Sequence, residues 1–248
     1  MKNLLSQLSK ESLVLVRSIG VLAQDKGVNA YLVGGPVRDL LLKRPTLDLD
    51  IVVEGNASRL VEAFAAQHPG AKLQVYQAFK TATVHLPDGR LVDFATARQE
   101  KYVRPGAFPA VVPSDMKHDL FRRDFTINAM AVHITPDHWG KMVDPYGGYA
   151  DLKAKKIRVL HAQSFIDDPT RIVRAARFKA RLGFTMEQGT IKLLKAAVKA
   201  KALDTIKPQR YLKEFNKILK EDSVKTALKY LKSWDALKEV VYATHGKS

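Results

Sequence analysis

The run Gly34-Gly35-Pro36-Val37-Arg38-Asp39, followed by Asp48-Leu49-Asp50, holds the residue types that metal-assisted phosphoryl chemistry needs. A glycine pair lets backbone N–H groups approach phosphate oxygens closely, and the helix it opens favours negative charge at its start. Pro36 suits the first turn of that helix, where the missing N–H is no loss, and Arg38 lies close enough to reach the same anion. No Gly-Lys-Ser/Thr closes the turn, so it is not a P-loop. Downstream, Asp48 and Asp50 occupy positions i and i+2 of an otherwise apolar run, Leu47, Leu49, Ile51, Val52 and Val53. On a strand such side chains share one face. Two carboxylates so placed repel each other unless a cation or hydrogen-bond donors compensate, or unless an edge strand shows them to water. Mg²⁺ takes one or two carboxylates plus phosphate oxygens, and a pair of such ions ~4 Å apart can clamp an attacking and a leaving oxygen. Asp93, in Leu91-Val92-Asp93-Phe94, is a candidate third acid on a neighbouring strand; the alternative is a strand-end acid bonded to backbone.

Two further segments carry charge in a pattern. Arg122-Arg123-Asp124-Phe125-Thr126-Ile127-Asn128-Ala129 sets two arginines against a helix start. Asp124 can cap that helix, and the arginines can either pair with acids or bind phosphate and ribose bidentately. Asp167-Asp168-Pro169-Thr170-Arg171 continues into Arg174 and Arg177, a stripe of arginines every three residues on a helix. Asp168 and Arg171 together offer one acceptor and one donor fork. That pair suits the edge of cytosine or adenine, an amino donor beside an unprotonated ring nitrogen, and mismatches uracil and guanine. An N-capping Asp with intrahelical ion pairs is the structural alternative.

The elements that must hold these residues follow from hydrophobic spacing. Leu4, Leu5, Leu8, Leu13, Val16, Ile19 and Leu22 predict helix over 3–26, and Tyr31-Leu32-Val33 a strand ending at the glycine pair. A helix at 36–43, a strand at 48–53, a helix at 57–67 and strands at 72–76, 80–86 and 90–95 follow, the last two joined at Pro87-Asp88-Gly89-Arg90. From Arg98 to His118 the periodicity vanishes among Pro105, Gly106, Pro109 and Pro113, which predicts a long functional or mobile loop. A short helix is expected at 125–132 and a turn at 144–148. Helices are then expected at 168–182, 187–200, 208–220, 222–232 and 234–242, with Gly183 as a C-cap. The fold class is therefore α+β: a mixed sheet with flanking helices over 1–150, then an all-helical segment over 151–248.

The chain has 248 residues, of which 46% are hydrophobic, enough for the core of one large or two modest domains. The net charge of +16 is lopsided, because residues 151–248 hold 23 Lys/Arg against 10 Asp/Glu. A polyanion docked on that half and a set of solvated lysine faces both fit the charge alone. The absence of cysteine excludes disulfides and thiolate metal sites. No apolar stretch reaches the ~20 residues of a membrane span, so the expectation is a cytoplasmic protein, neither secreted nor embedded.

Together these segments resemble the class II tRNA nucleotidyltransferase and bacterial poly(A) polymerase family of the polymerase-β-like superfamily. The resemblance runs in order through GGPVRDLLL with DLD, RRDFTINAMAV, DPYGGYADL with KIRVL, and DDPTRIVRAARF, with a weaker neck-like match from Pro208 to Glu214. It implies a polymerase-β-like nucleotidyltransferase head followed by a helical neck and partial body. It implies that Asp48 and Asp50 hold Mg²⁺ and are catalytic, and that Gly35, Arg38 and Arg123 contact the incoming triphosphate. It further implies that Asp168 and Arg171 read the base, that Arg174 and Arg177 support the nucleotide, and that the 98–118 loop takes part when the pocket switches from C to A. The implied activity is addition of C and/or A to the 3′ end of tRNA from CTP and ATP. A poly(A) polymerase and a catalytically silent RNA-binding module are the alternatives. Two departures stand out: Asp167 replaces the Glu that commonly begins the Glu-Asp motif, and residues 185–248 supply only a neck and part of a body.

Overall fold

The computed structural model describes residues 4–46, 48–77 and 80–237; Leu47 and the last part of the helix expected over 234–242 lie outside them. The strands are β1 (Asn29–Val33), β2 (Leu49–Glu54), β3 (Lys72–Tyr76), β4 (Thr81–His85), β5 (Leu91–Thr96), β6 (Arg98–Lys101), β7 (Ala110–Pro113), β8 (Ala131–His133), β9 (Met142–Val143), β10 (Lys156–Ile157) and β11 (Thr185–Met186). The helices are α1 (Lys10–Asp25), α2 (Gly35–Leu41), α3 (Ala57–Ala66), α4 (Met116–Phe121), α5 (Gly148–Lys153), α6 (Ser164–Asp167), α7 (Thr170–Leu182), α8 (Gln188–Lys199), α9 (Pro208–Leu219) and α10 (Val224–Ser233).

Two compact units share these elements. The first is built from described residues within Met1–Gln99, Val111–Arg123 and Ile127–Tyr149; the second from those within Glu100–Ala110, Asp124–Thr126 and Ala150–Ser248.

A seven-stranded mixed sheet in the order β3-β4-β5-β2-β1-β8-β9 forms the first unit's frame. Its centre, β2, is apolar at Leu49, Ile51, Val52 and Val53, all buried, and pairs antiparallel with β1 and parallel with β5. Such a run, apolar at successive residues, is what a strand covered on both faces requires. The parallel register sets Asp50 directly beside Asp93. Helix α1 covers the sheet through Leu15, Val16, Ile19 and Leu22. The expected 3–26 helix is broken at Ser9, whose hydroxyl caps α1 by accepting the Ser12 N–H at 3.1 Å.

Helix α7 centres the second unit, packed against α9 and α10 through Ile172, Val173, Ala176 and Phe178. Gly183 ends it with φ +70°, the C-cap expected. This half is not wholly helical, since β10 and β11 form a short parallel ladder.

Two expectations are corrected. The 98–118 stretch is not a structureless loop, because β6 and β7 form a two-stranded ladder and Asp115 caps α4 by accepting the His118 N–H at 2.8 Å. Proline and glycine hid these short strands by breaking the period. The helix expected over 125–132 is a 3₁₀ turn, Thr126–Asn128, followed by β8. Residues 124–135 are buried without exception, so no polar alternation marks the strand. The turn at 144–148 leads into α5, whose start is held by Asp144 accepting from the Gly148 and Tyr149 N–H groups.

Candidate active site

Gly34 sits at the N-cap of α2 with φ +72° and ψ −125°, a conformation open to glycine and to almost nothing else. Its N–H donates to the Met130 carbonyl at 3.0 Å. A Cβ added there would meet Arg123 Nη1 at 2.6 Å, so the guanidinium of Arg123 lies directly on the glycine turn. Asp119 holds it there: fully buried, it accepts from Arg123 Nη2 at 2.9 Å and from Arg122 Nη2 at 2.7 Å. Burial works to raise the Asp119 carboxyl's pKa, but Arg123 and Arg122 outweigh it and hold the group below its ordinary range. Gly35 opens α2 at partial exposure. Arg38 is buried, with Nε and Nη2 donating to Asp39 at 2.9 and 2.8 Å and Nη1 to Asn128 Oδ1 at 2.6 Å, a network that ties α2 to the Thr126–Asn128 turn.

The acids gather beside this turn. Asp50 is half-buried on β2, while Asp48 is exposed and stands one residue ahead of the strand rather than within it. Burial raises the Asp50 pKa to about 6; Arg123 opposes that rise, and the charges of Asp93 and Asp48 add to it. Asp93 is exposed on β5 and accepts a short hydrogen bond from the Thr83 hydroxyl. Asp50, Asp93, Thr83, Arg122 and Arg123 line one cavity of about 290 Å³. Among the described residues no group of three or more His, Cys, Asp or Glu is arranged to hold a metal ion. The candidate ligand set is thus the Asp48/Asp50 pair, completed by substrate oxygens. Its hard oxygen donors suit a divalent cation, and burial, with the charges of Asp93 and Asp48 adding to it, disfavours the ionised form of Asp50 despite Arg123.

The other predicted residues lie in the second unit. Asp168 precedes α7 and accepts from the Thr170 N–H and hydroxyl and from Arg210. Arg171 is buried and donates to the Ser164 hydroxyl at 2.6 Å. Arg174 bonds Asp124 and Glu214, and Arg177 faces Glu214 and Glu221, so the lower half of the stripe is an ion-pair network. Asp124 serves Arg174 and the Phe125 N–H rather than a helix start. Sequence reasoning missed Asp119, Asn128 and Arg210. Asp119 left a signal, an acid three and four residues ahead of an arginine pair; the contacts of Asn128 and Arg210 span 90 and 42 residues and left none.

Residues 30–158 match the family model for the poly A polymerase head domain. The chain belongs to this family. An A-adding tRNA nucleotidyltransferase from Aquifex aeolicus is 46% identical over 215 residues, which are 86% of this chain and 26% of that protein. The structure of a CCA-adding enzyme in apo form II aligns with TM-score 0.89 at 43% identity, covering 96% of this chain and 56% of the other. A Thermotoga maritima CCA-adding enzyme complexed with tRNA aligns with TM-score 0.84 at 41% identity over 96% of this chain and 54% of its own. The chain thus spans about a quarter of the Aquifex relative and just over half of the two solved structures.

Nucleotidyltransferases of the poly A polymerase head family generally use a divalent metal, in keeping with the acids described. The fold is the nucleotidyltransferase head of that family. Its glycine turn yields a direct expectation. Gly34→Ala both forces a residue with Cβ into a glycine-only conformation and drives that Cβ into Arg123. Chemical unfolding should show a loss of about 1–3 kcal/mol.

Proposed function

We propose that the chain transfers nucleotides from CTP and/or ATP to the 3′ end of tRNA, building part or all of the CCA end with release of pyrophosphate. One observation carries this reading: the Arg123 guanidinium lies on the Gly34 turn and its charge acts on Asp50, which joins a phosphate cradle to paired acids. The similar proteins, an A-adding and a CCA-adding enzyme, support it.

In this reading residues 1–150 form the head and 151–248 the neck and partial body that reads the base and binds RNA. The 3′-hydroxyl attacks the α-phosphate, the bond from that phosphorus to the bridging oxygen breaks, and pyrophosphate leaves. Mg²⁺ held by Asp48 and Asp50 would lower the pKa of the attacking hydroxyl and neutralise the leaving group. Gly35 and Arg123 hold the triphosphate through backbone N–H groups and a guanidinium, and Arg38 fixes the helix that presents those groups. Asp168 and Arg171 match the amino donor and ring nitrogen of C or A, while Arg174 and Arg177 support the nucleotide. Among the described residues no helix is long and apolar enough to cross a membrane, and the cytoplasm, where tRNA is processed, is the proposed compartment.

The test uses tRNA transcripts ending before CCA, after the first C, or after CC, each incubated with one labelled NTP and Mg²⁺. Incorporation of C or A on at least one end supports the proposal, and none on all three rejects it. Long ATP-only tails on unrelated RNA would instead identify a poly(A) polymerase. RNA affinity changed by Asp48→Ala, with no activity to lose, would identify a binding module.

A further inference from the structure

Strand β3 forms one edge of the seven-stranded sheet, with β4 as its strand neighbour. All five of its residues, Lys72 to Tyr76, are exposed, whereas the opposite edge, β9, is only two residues long. Sheet edges are ordinarily guarded by proline, a bulge or an inward charge, because an open ladder pairs with any strand it meets. β3 has no such guard. It carries no proline, its register with β4 runs unbroken from Lys72 opposite His85 to Tyr76 opposite Thr81, and its one charged residue stands at its end.

Two rows of the core run out at this edge. Val92, Val84 and Leu73 are successive cross-strand neighbours, as are Phe94, Ala82 and Val75. In each row the members on β5 and β4 are buried, while Leu73 is 38% exposed and Val75 54%. Helix α3 packs on β2, β4 and β5. Past β4 the apolar face is open, and Leu73 and Val75 wall a cavity of about 720 Å³ together with Val61 and Glu62. On the other face Gln74 continues the row of Asp50, Asp93 and Thr83.

The order of residues in β3 suits a copy of itself. In an antiparallel pair centred on Gln74, Leu73 of each copy lies opposite Val75 of the other, Gln74 opposite Gln74, and Lys72 opposite Tyr76. Opposite residues share a face, so each apolar row of one copy runs on into an apolar row of the other. The two Gln74 amides can bond one another, and each Lys72 meets a tyrosine ring rather than a second lysine. A slip of one residue would set apolar side chains against polar ones. Residues 1–150, which contain β3, hold 18 Lys/Arg against 15 Asp/Glu, so the surplus of positive charge belongs to the rest of the chain.

We infer that β3 is a homodimer interface, at which two copies join edge to edge into one continuous sheet. The pairing uses the open edge of both copies and therefore closes. A five-residue ladder falls short of the standard interface of about 800 Å² per partner, which makes the dimer weak and concentration-dependent. The Asp50 residues of the two copies would lie seven strand spacings apart, about 34 Å. A twist of about 20–25° per strand turns their rows away from one another, so each copy keeps its own site.

The chain has no cysteine, so an introduced one reports its position without interference. The experiment follows the mass of the full chain by sedimentation equilibrium from sub-micromolar to hundreds of micromolar, with Gln74→Cys, Lys72→Cys and Val75→Lys beside it. Wild type should pass from monomer to dimer and no further. Under mild oxidation Gln74→Cys should link into a covalent dimer, because its Cβ atoms lie about 5 Å apart across the two-fold axis. Lys72→Cys, whose two copies are offset by roughly 13 Å along the strands, should not. Val75→Lys should raise the dissociation constant by about tenfold or more, since the symmetry repeats the loss in two cross-strand pairs. Val75 is exposed, so the dilute variant should melt as wild type does. Equal crosslinking at positions 72 and 74, a dimer undiminished in Val75→Lys, or assembly beyond the dimer would each overturn the proposal. A wild type that stays monomeric throughout would overturn it too, and would leave the edge to a strand from another protein.

Discussion

Asp50→Asn is expected to abolish nucleotidyl transfer and to make the protein more stable at neutral pH. The first effect follows from removing one of two acids assigned to the cation, and a loss of about a thousandfold or more in kcat is the scale for deleting a charge-stabilising group. The second follows from the raised pKa. Folded Asp50 titrates at about 6, above the ordinary carboxylate value, so between that value and 6 the folded state binds a proton that the unfolded state does not. Its contribution is therefore favourable in acid and is lost as pH rises through 6, leaving a deficit of about 3 kcal/mol at neutral pH. Asn cannot ionise and carries no such deficit. Thermal melts of wild type and variant should differ most above pH 7 and converge below about pH 4. Mg²⁺ should raise the wild-type Tm by mass action and leave the Asp50→Asn Tm nearly still. Equal melting curves across this pH range, together with retained transfer, would remove Asp50 from the site.

That trade between stability and chemistry explains why the sequence announced the site more readily than the frame around it. Asp50 is conspicuous because it breaks an apolar run, and Gly34 because only glycine satisfies both its backbone angles and the approach of Arg123. Features that violate a local rule are visible in one dimension. The α1, α3 and α7 helices and the β3-β4-β5 hairpin series were legible for the opposite reason, since each keeps a clean period.

What stayed hidden obeys neither logic. β8 carries Ala, Val and His with no alternation because both its faces are buried, and β6 and β7 are too short to show any. The ligand pairing within the arginine stripe was also beyond reach. A spacing of three predicts that Arg171, Arg174 and Arg177 share a stripe, yet their partners Ser164, Asp124, Glu214 and Glu221 come from elements whose packing only the tertiary fold sets. Asp48, expected inside the strand, stands just ahead of it, because the ladder with β5 begins at Leu49 opposite Val92.

Arg174→Ala should then be the most destabilising single change in the second unit. Its guanidinium donates to Asp124 through Nε at 2.9 Å and also through Nη2, and faces Glu214 at 3.4 Å. The side chains of Asp124 and Glu214 are only 6% and 10% exposed, so the truncation takes the guanidinium from a buried Asp124, while Glu214 keeps Lys217 and Arg177. Breaking a buried pair from one side costs about 3–5 kcal/mol, and since Arg174 is itself 26% exposed, the lower end of that range is expected. Burial would raise the Glu214 carboxyl, yet Arg174, Lys217 and Arg177 hold it below its ordinary value. Its share of stability is accordingly present at neutral pH and fades as pH falls through the carboxylate range. Removing both charges separates structure from nucleotide contact. Arg174→Met with Asp124→Asn leaves fewer unpaired ions than the single truncation and should recover much of the lost stability in urea melts. If Arg174 only supports Arg171 from below, the refolded double variant should regain the wild-type KM for ATP as well. A double variant that melts normally but keeps a raised KM would instead show that the guanidinium touches the nucleotide, and one that melts as low as Arg174→Ala would show that the ion pair is not what holds α7 in place.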